Sequence, residues 1–580
     1  MYPLSTYTLT AVLERSADLF ANQPAVSQVG GVPITYKEFA ESVLGLQSLL
    51  IDHGVASGDK VAILSESNPN WGIAYFAITA MGAIAVPILP DFHPDAVHHI
   101  IRHSEASAVI VSQKLFAKVE DGQYDTLPKL FLMETFTPVE FGEVPAKLKE
   151  LKKAGLREFR SFVGKALDMT QKFIDRENNE KTTVAVSPYS AGNGVSPDDI
   201  AAIIYTSGTT GHSKGVVLSH ENIVTNAYAV RSIVEIGPGD RLLSILPLSH
   251  TYECTLGLVL PIMNGAHLHY MDKPPTARAL LPAMASVKPT CMLSVPLVIE
   301  KIFKAAILPK LTSNFLKRTL YGFAPLRKKF HKLAGKKLLE TFGGHLRVFC
   351  IGGAAIAPEV ERFLREAEFP YAIGYGLTET SPLLAGTGPD ETRLHSTGYS
   401  LEGVELKIDN PHPETGEGEI LAKGANVMKE YYKAPEITKS VFTEDGWFRT
   451  GDLGKFDSDG YLYIRGRLKN VIVGASGENI YPEELEGIIM QSPWVLETIV
   501  YQQDGKMTAR IHLDRSKIDD EFGGMHAAKL EEKVLALLEE IRLDVNSKVA
   551  AFARIVKVSE QAEPFEKTPT QKIKRYLYVD

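Results

Sequence analysis

Cysteine is scarce in this chain, with three residues in 580: Cys254, Cys291 and Cys350. They stand far apart without pairing or metal-ligand spacing, which excludes a disulfide framework and a thiolate zinc site and suits a reducing compartment; they read as buried small apolar residues. The N-terminal segment lacks a basic stretch running into an apolar core, so no secretory signal is expected. The chain also lacks a convincing membrane span. Its best imitation, residues 71–90, is interrupted by Gly82 and Pro87 and reads as a buried helix, a glycine break and a buried strand. A net charge of −8 and the absence of any reader motif disfavour nucleic acid as a partner. No internal repeat is present.

What is present is alternation. Apolar runs such as "KVAILSE", "AIAVPI", "ASAVIVS", "IAAIIYTSG", "RLLSILPLS" and "LRVFCIGG" are separated by helical patterns such as "PEVERFLREAE". That order predicts a large α/β region with mostly parallel sheet, whose ligands gather at the carboxyl ends of strands. After about residue 400 the character shifts to short strands and hairpin turns, a β-rich part. The last hundred or so residues read as a small α+β unit: a hairpin in "LETIVYQQDGKMTARIHLD", a helix in "HAAKLEEKVLALLEEIRLDVN" and a strand in "FARIVKVS".

The stretch "YTSGTTGHSKGV", residues 205–216, follows a buried strand. Glycines 208, 211 and 215 permit close backbone approach, Thr206, Ser207, Thr209 and Thr210 offer hydroxyl donors, and Lys214 offers a positive charge, a set suited to a polyphosphate. It departs from the Walker pattern, since the lysine comes three residues after Gly211 and is followed by glycine. The alternative is a flexible Gly/Thr turn, which accounts for most glycine-rich stretches taken singly. "IGGAAIAP" (351–358) and "GYGLTET" (374–380) place glycines after apolar runs, where a flat ring can approach the backbone and Tyr375 can stack on it. Glu379 suits Mg²⁺ held against phosphate oxygens. "GWFRTGDLG" and "GRLKN" bring Asp452 and Arg467, an acceptor and a donor for ribose hydroxyls or else a surface ion pair. "EKTPTQKIKR" places Lys572 near the C-terminus.

Together these ordered segments resemble the adenylate-forming superfamily over essentially the whole chain. Within it, "DGWFRTGDLGKFDSDGYLYIRGRLKNVIV" and "TPTQKIKR" are most similar to long-chain fatty acyl-CoA synthetases. Many members carry glycine before the catalytic lysine, where this chain has Gln571. The resemblance implies an N-terminal ATP- and acyl-binding domain, 1–468, and a mobile C-terminal domain, 469–580, carrying the catalytic lysine. It implies an acid-thiol ligase that uses ATP, Mg²⁺ and CoA: a fatty acid becomes acyl-AMP with release of pyrophosphate, and the acyl group then passes to CoA, or alternatively to an acyl carrier protein. By this resemblance Lys572 bridges the reacting oxygens, while Glu379 and Thr210 serve Mg²⁺. Thr206, Ser207, Gly208, Thr209, Thr210, Gly211 and Lys214 hold the phosphates. Gly353, Ala354, Tyr375, Gly376, Thr378, Asp452 and Arg467 line the rest of the nucleotide site. Lys469 is the hinge, Gly477 borders the thiol channel, His250 orients the carboxylate or gates thiol entry, and Tyr252 gates an acyl tunnel.

Residues 301–339 hold eleven Lys or Arg and no Asp or Glu, in a chain of net charge −8. Aromatic and leucine residues interleave with them. Anionic lipid headgroups, an acidic carrier protein, the phosphates of CoA and plain solvent all suit such a surface. A second basic segment, 147–181, reads as a helical insertion. The expected location is cytoplasmic, with peripheral contact at a membrane surface. A nucleotide sensor without turnover, or a membrane-surface interaction protein, are the readings of other classes.

Overall fold

The computed structural model describes residues 4–120, 122, 124, 126–141, 194–206, 213–473, 479–523, 526–568 and 573–579. The basic segment 147–181 lies outside them.

Two large sheets carry the fold. One has nine strands, in the order Tyr399–Ser400, Leu383–Gly386, Tyr371–Gly376, Val348–Ile351, Cys291–Ser294, Arg241–Ser244, His267–Tyr270, Pro24–Gln28, Ile34–Thr35. Its interior pairs, from Tyr371–Gly376 across to Pro24–Gln28, are parallel, and antiparallel strands close both edges. The other has eight strands, running from Glu430–Tyr431 through Lys214–Ser219, Ile200–Thr206, Ile84–Ile88, Lys60–Leu64, Ala106–Val111 and Lys129–Leu132 to Pro138–Val139. Its centre is again parallel.

The helices follow from the sequence chemistry. Thr35 and Glu38 form a capping box at Tyr36–Asp52, and Asn68 caps Pro69–Ala80, whose proline at the first turn costs no hydrogen bond. All but the first two residues of Pro69–Ala80 are buried. The largest apolar cluster explains why: it draws on both sheets and on the helices Leu9–Phe20, Tyr36–Asp52 and Pro69–Ala80, so these helices are packed between the sheets. Separate clusters cover the outer faces of the eight-stranded and nine-stranded sheets. The stretch 71–90 is helix, then Met81 and Gly82 (φ +77°), then the buried strand Ile84–Ile88. Among the described residues no helix is long and apolar enough to cross a membrane.

The β-rich part is an antiparallel sheet of Val404–Asp409, Gly418–Gly424, Phe448–Phe456 and Leu462–Arg467. Beyond it, Val495–Gln503 and Lys506–Leu513 form a hairpin joined by Asp504 and Gly505, both at positive φ as a tight two-residue turn requires. Lys557–Glu560 pairs in parallel with the second of these strands. Helices Pro482–Ile489 and Ala527–Lys548 complete this unit, which has an apolar cluster of its own. Polar contacts join it to the preceding sheet: the Tyr481 hydroxyl donates to Glu417 at 2.9 Å, and Arg465, itself bonded to Glu417 at 2.8 Å, reaches Glu484 at 3.2 Å.

One expectation needs correction. Cys254 and Cys291 are buried, but Cys350 is half-buried. Remote in sequence, Cys291 and Cys350 meet on adjacent parallel strands, where Cys291 pairs with Val348 and Leu293 with Cys350. The Cys350 contact and burial raise the Cys291 thiol's pKa well above its usual value.

Candidate active site

Four adjacent strands of the nine-stranded sheet deliver their carboxyl ends to one region. Arg241–Ser244 leads to His250, Cys291–Ser294 precedes Val295, Val348–Ile351 leads to Gly352, Gly353 and Ala354, and Tyr371–Gly376 leads to Thr378 and Glu379. This is where open parallel sheets bind ligands, because the loops there diverge to opposite faces.

The first network is built across the β-rich sheet. Asp452 and Arg467 face each other in antiparallel register, with Arg467 Nε 2.7 Å from Asp452 Oδ1. The Tyr375 hydroxyl donates to Asp452 Oδ2 at 2.7 Å. Asp452 is buried while Arg467 is half-exposed, so the carboxylate is held by partners rather than by water. Burial, then the charge of Asp452, raises the Tyr375 hydroxyl's pKa well above the usual tyrosine range.

The second network joins the two sheets. Thr206 and Lys214 are opposite one another in the hairpin of Ile200–Thr206 and Lys214–Ser219, so they form the base of the phosphate-loop candidate. Lys214 Nζ lies 5.2 Å from the centre of the Tyr431 ring, and the Tyr431 hydroxyl donates to Glu379 Oε1 at 2.8 Å. Tyr431 is placed by its pairing with Val216. Burial and the Glu379 carboxylate both disfavour its ionisation. Among the described residues no group of three or more His, Cys, Asp or Glu stands together as a ready metal cage. Glu379, a lone half-buried carboxylate, is the kind of ligand that could hold Mg²⁺, an ion that takes only one or two protein carboxylates and keeps several waters.

Asparagines hold the segment that carries both Tyr375 and Glu379. Asn226 donates to Leu383 O at 2.7 Å and accepts from Leu383 N at 3.1 Å. Asn426 Nδ2 donates to Thr380 O at 2.9 Å. A side chain on Gly376 would collide with the Pro382 carbonyl oxygen, so the internal fold itself demands glycine there, whatever ring approaches from outside. Gly353 adopts φ +86°, a left-handed conformation open to glycine.

His250 accepts from Tyr252 N at Nδ1, 3.2 Å away. Tyr252 opens a π-helical stretch, Tyr252–Val259, and is buried with its ring against Gly352. Wide turns of this kind cluster at functional sites. Beside it the fully buried Glu253 carboxyl accepts from Ser244 Oγ at 2.6 Å, and burial pushes its pKa up to about 8.

The structure therefore brings Tyr375, Asp452 and Arg467 together, and separately Lys214, Glu379 and Tyr431. Ser207, Gly208, Thr209, Thr210, Gly211, Gly477 and Lys572 lie outside the described residues. The Lys572 segment is bracketed, however, by a bridge between Lys567 and Ile573, and its far end is tied down by Arg575, which contacts Glu486 and donates to Val500 O at 3.2 Å. Lys469 sits in a short turn, Leu468–Asn470, that follows Arg467 directly and in which Asn470 donates to Glu483. Sequence reasoning missed Tyr431, Asn226, Asn426 and Arg575. Only the last had a local signal, as a basic residue in the lysine segment.

Parallel strands whose carboxyl ends gather Tyr375 and Glu379, with Asp452, Arg467 and Lys214 brought up beside them, are the arrangement expected of an adenylate-forming enzyme. The chain belongs to the family of AMP-binding enzymes, whose model matches residues 13–432. The peroxisomal long chain acyl-CoA synthetase 7 of Arabidopsis thaliana is 27% identical to it, over 93% of this chain and 79% of that protein. A long-chain-fatty-acid–CoA ligase of Mycobacterium bovis is 30% identical, over 80% of this chain and 75% of its own length. Among solved structures, the anthranilate CoA ligase AuaEII in complex with anthranoyl-AMP has the same fold, with a TM-score of 0.75 at 22% identity, covering 99% of this chain and 97% of that one.

Proposed function

We propose that this protein activates a long-chain fatty acid with ATP and passes the acyl group to the thiol of CoA. A carboxylate resists acyl transfer because its carbonyl is electron-rich and oxide is a poor leaving group. In the first step a carboxylate oxygen bonds to the α-phosphorus as the bond to the β-phosphate oxygen breaks, releasing pyrophosphate. In the second the sulfur bonds to the acyl carbon, the bond to the phosphate oxygen of AMP breaks, and the thiol proton is lost.

The observation that supports this reading is that one segment, 371–380, carries both Tyr375, which bonds the proposed ribose acceptor Asp452, and Glu379, the proposed phosphate-side carboxylate. Asp452, aligned by Arg467 and Tyr375, takes the ribose hydroxyls. Lys214 and Thr206, with the loop they close, hold the leaving phosphates, where positioning and charge neutralisation supply most of the rate. Mg²⁺, when bound at Glu379 and Thr210, offsets triphosphate charge and favours departure of pyrophosphate. Lys572 bridges the reacting oxygens, and His250 orients the acid or admits the thiol. The unit from 469 onward turns about Lys469 between the two steps, exchanging Lys572 for the face that bears Gly477. Tyr252, against Gly352, gates the acyl chain. The reaction is placed in the cytoplasm.

The test is ATP–pyrophosphate exchange across a series of acids from acetate to long-chain, followed by transfer with CoA and, in parallel, with acyl carrier protein. Exchange that rises with chain length and ends in acyl-CoA is expected. Acyl transfer to carrier protein alone would replace CoA as acceptor, and nucleotide binding without exchange would remove the enzyme reading altogether.

A further inference from the structure

We propose that the helical hairpin of Phe315–Gly322 and Ala324–Thr341 is a docking surface for an anionic membrane. One side of the longer helix is fixed to the body of the protein. Arg327 makes two bonds to Glu366, at 3.0 and 2.7 Å, and His331 Nδ1 lies 2.8 Å from Glu366 Oε2. Tyr321 on the shorter helix meets His331 Nε2 at 2.9 Å, and Gly335 packs so closely on Ala367 that a side chain there would clash. Arg327, His331, Gly335 and Leu338 recur at helical spacing with Ala334 and Leu339 packed beside them, while Lys328, Lys329, Lys332, Leu333, Lys336 and Lys337 are exposed on the opposite side.

That outward surface is both apolar and basic. The helix Phe315–Gly322 has no buried residue. Phe315 is 85% exposed, Leu333 70%, Leu316 67% and Phe323 60%. Around them Lys310, Arg318, Lys328, Lys329, Lys336 and Lys337 have no acidic partner among the described residues, whereas elsewhere on the hairpin Lys332 pairs with Glu368 at 2.6 Å. Leaving four large apolar side chains in water has a hydrophobic cost that burial would recover, and unpaired cations make an anionic covering the favourable one.

The type of cation selects the partner. Nine of the eleven basic residues in 301–339 are lysine, a residue depleted in protein–protein interfaces but suited to headgroups, since its long stem lies along apolar surface while the ammonium stays wet. Aromatic and leucine side chains inserted at the acyl boundary, rimmed by lysines at the phosphate level, are the pattern of an interfacial helix. No residue of the hairpin belongs to the proposed active site, so failure of this proposal leaves the proposed reaction untouched.

Co-sedimentation of the full chain with phosphatidylcholine vesicles, with and without phosphatidylglycerol, tests it. Binding should require the anionic lipid and weaken with salt. The variants Phe315→Ser with Leu316→Ser, and Lys328→Gln with Lys329→Gln, Lys336→Gln and Lys337→Gln, should each lower the partition coefficient by roughly tenfold or more, at unchanged thermal unfolding temperature. A Phe323→Trp reporter in the otherwise native chain should shift its emission to the blue on anionic vesicles, independently of those variants. Absence of binding, equal binding to both lipids, full binding by the variants, no emission shift, or capture of an acidic carrier protein by the same lysines without vesicle binding would overturn it.

Discussion

Tyr375 donates its hydroxyl hydrogen to Asp452 Oδ2 at 2.7 Å, while Arg467 occupies the other oxygen of the same buried carboxylate. In the proposed role, a ribose reaching Asp452 would meet an acceptor whose orientation is already set. Tyr375→Phe removes one hydrogen bond to a charged group, an interaction of about 1.5–3 kcal/mol. The expected result is a KM for ATP raised roughly tenfold or more, with kcat nearly unchanged. Steady-state kinetics at varied ATP checks it, and a fall in kcat alone would place Tyr375 elsewhere in the cycle.

The Tyr431 hydroxyl orients Glu379 without contacting phosphate in the proposed arrangement. Tyr431→Phe should raise the Mg²⁺ concentration needed for half-maximal exchange a few-fold, and Glu379→Gln should raise it further, because the second change removes the ligand and the first only its orientation. A Mg²⁺ titration of both variants reads the order. The reverse order would count against the metal role of Glu379.

Lys572→Ala should abolish most adenylate formation while leaving thioester formation from added acyl-AMP largely intact. Lys469→Pro, which stiffens the proposed hinge, should do the opposite. The two half-reactions are assayed separately by pyrophosphate exchange and by acyl-CoA formation from synthetic adenylate. Equal losses in both steps would refute the hinge assignment.

Glu253 predicts a pH dependence of stability. Burial raises its carboxyl from the ordinary 4.5 to about 8, with the Ser244 hydrogen bond opposing. The folded state therefore holds this proton more tightly than the unfolded chain. The corresponding stability is complete below about pH 4.5 and is lost as pH rises towards about 8. Glu253→Gln keeps the neutral shape without that loss, so its unfolding temperature should gain on the wild type from about pH 5 to about pH 8. Thermal unfolding across this range provides the check, and a pH-independent gap would show that the carboxyl does not titrate as inferred.

Much of the fold was legible because its signals are local. The β-branched runs before residues 65, 89 and 112 became the interior strands Lys60–Leu64, Ile84–Ile88 and Ala106–Val111, and the Asp504–Gly505 turn announced its hairpin. The charged members of the site could be read from their motifs. Tyr431 could not, since it stands 52 residues from Glu379 and on the other sheet, and a tyrosine in "KEYYK" looks like any half-buried strand residue. Asn226 and Asn426 were hidden for the same reason: their bonds go to backbone, which leaves no pattern in side-chain chemistry. The π-helical turn at Tyr252 has no periodicity that separates it from an ordinary buried helix. At Gly376 the nearby Pro382 carbonyl oxygen was also invisible in the sequence, because a glycine shows that space is tight without saying which atom fills it.

Glu379 hangs from the nine-stranded sheet, whereas Tyr431 and Lys214 belong to the eight-stranded one. The hydroxyl bond between Tyr431 and Glu379, with the Met428 N–H donating to the Glu379 carbonyl at 2.8 Å, links two sheets between which aromatic and aliphatic side chains are packed, Phe39 and Phe76 among them. In the proposed arrangement nucleotide affinity should therefore depend on that packing, and shaving volume from a phenylalanine remote from any reacting atom should weaken ATP binding by misaligning the two halves of the proposed phosphate grip.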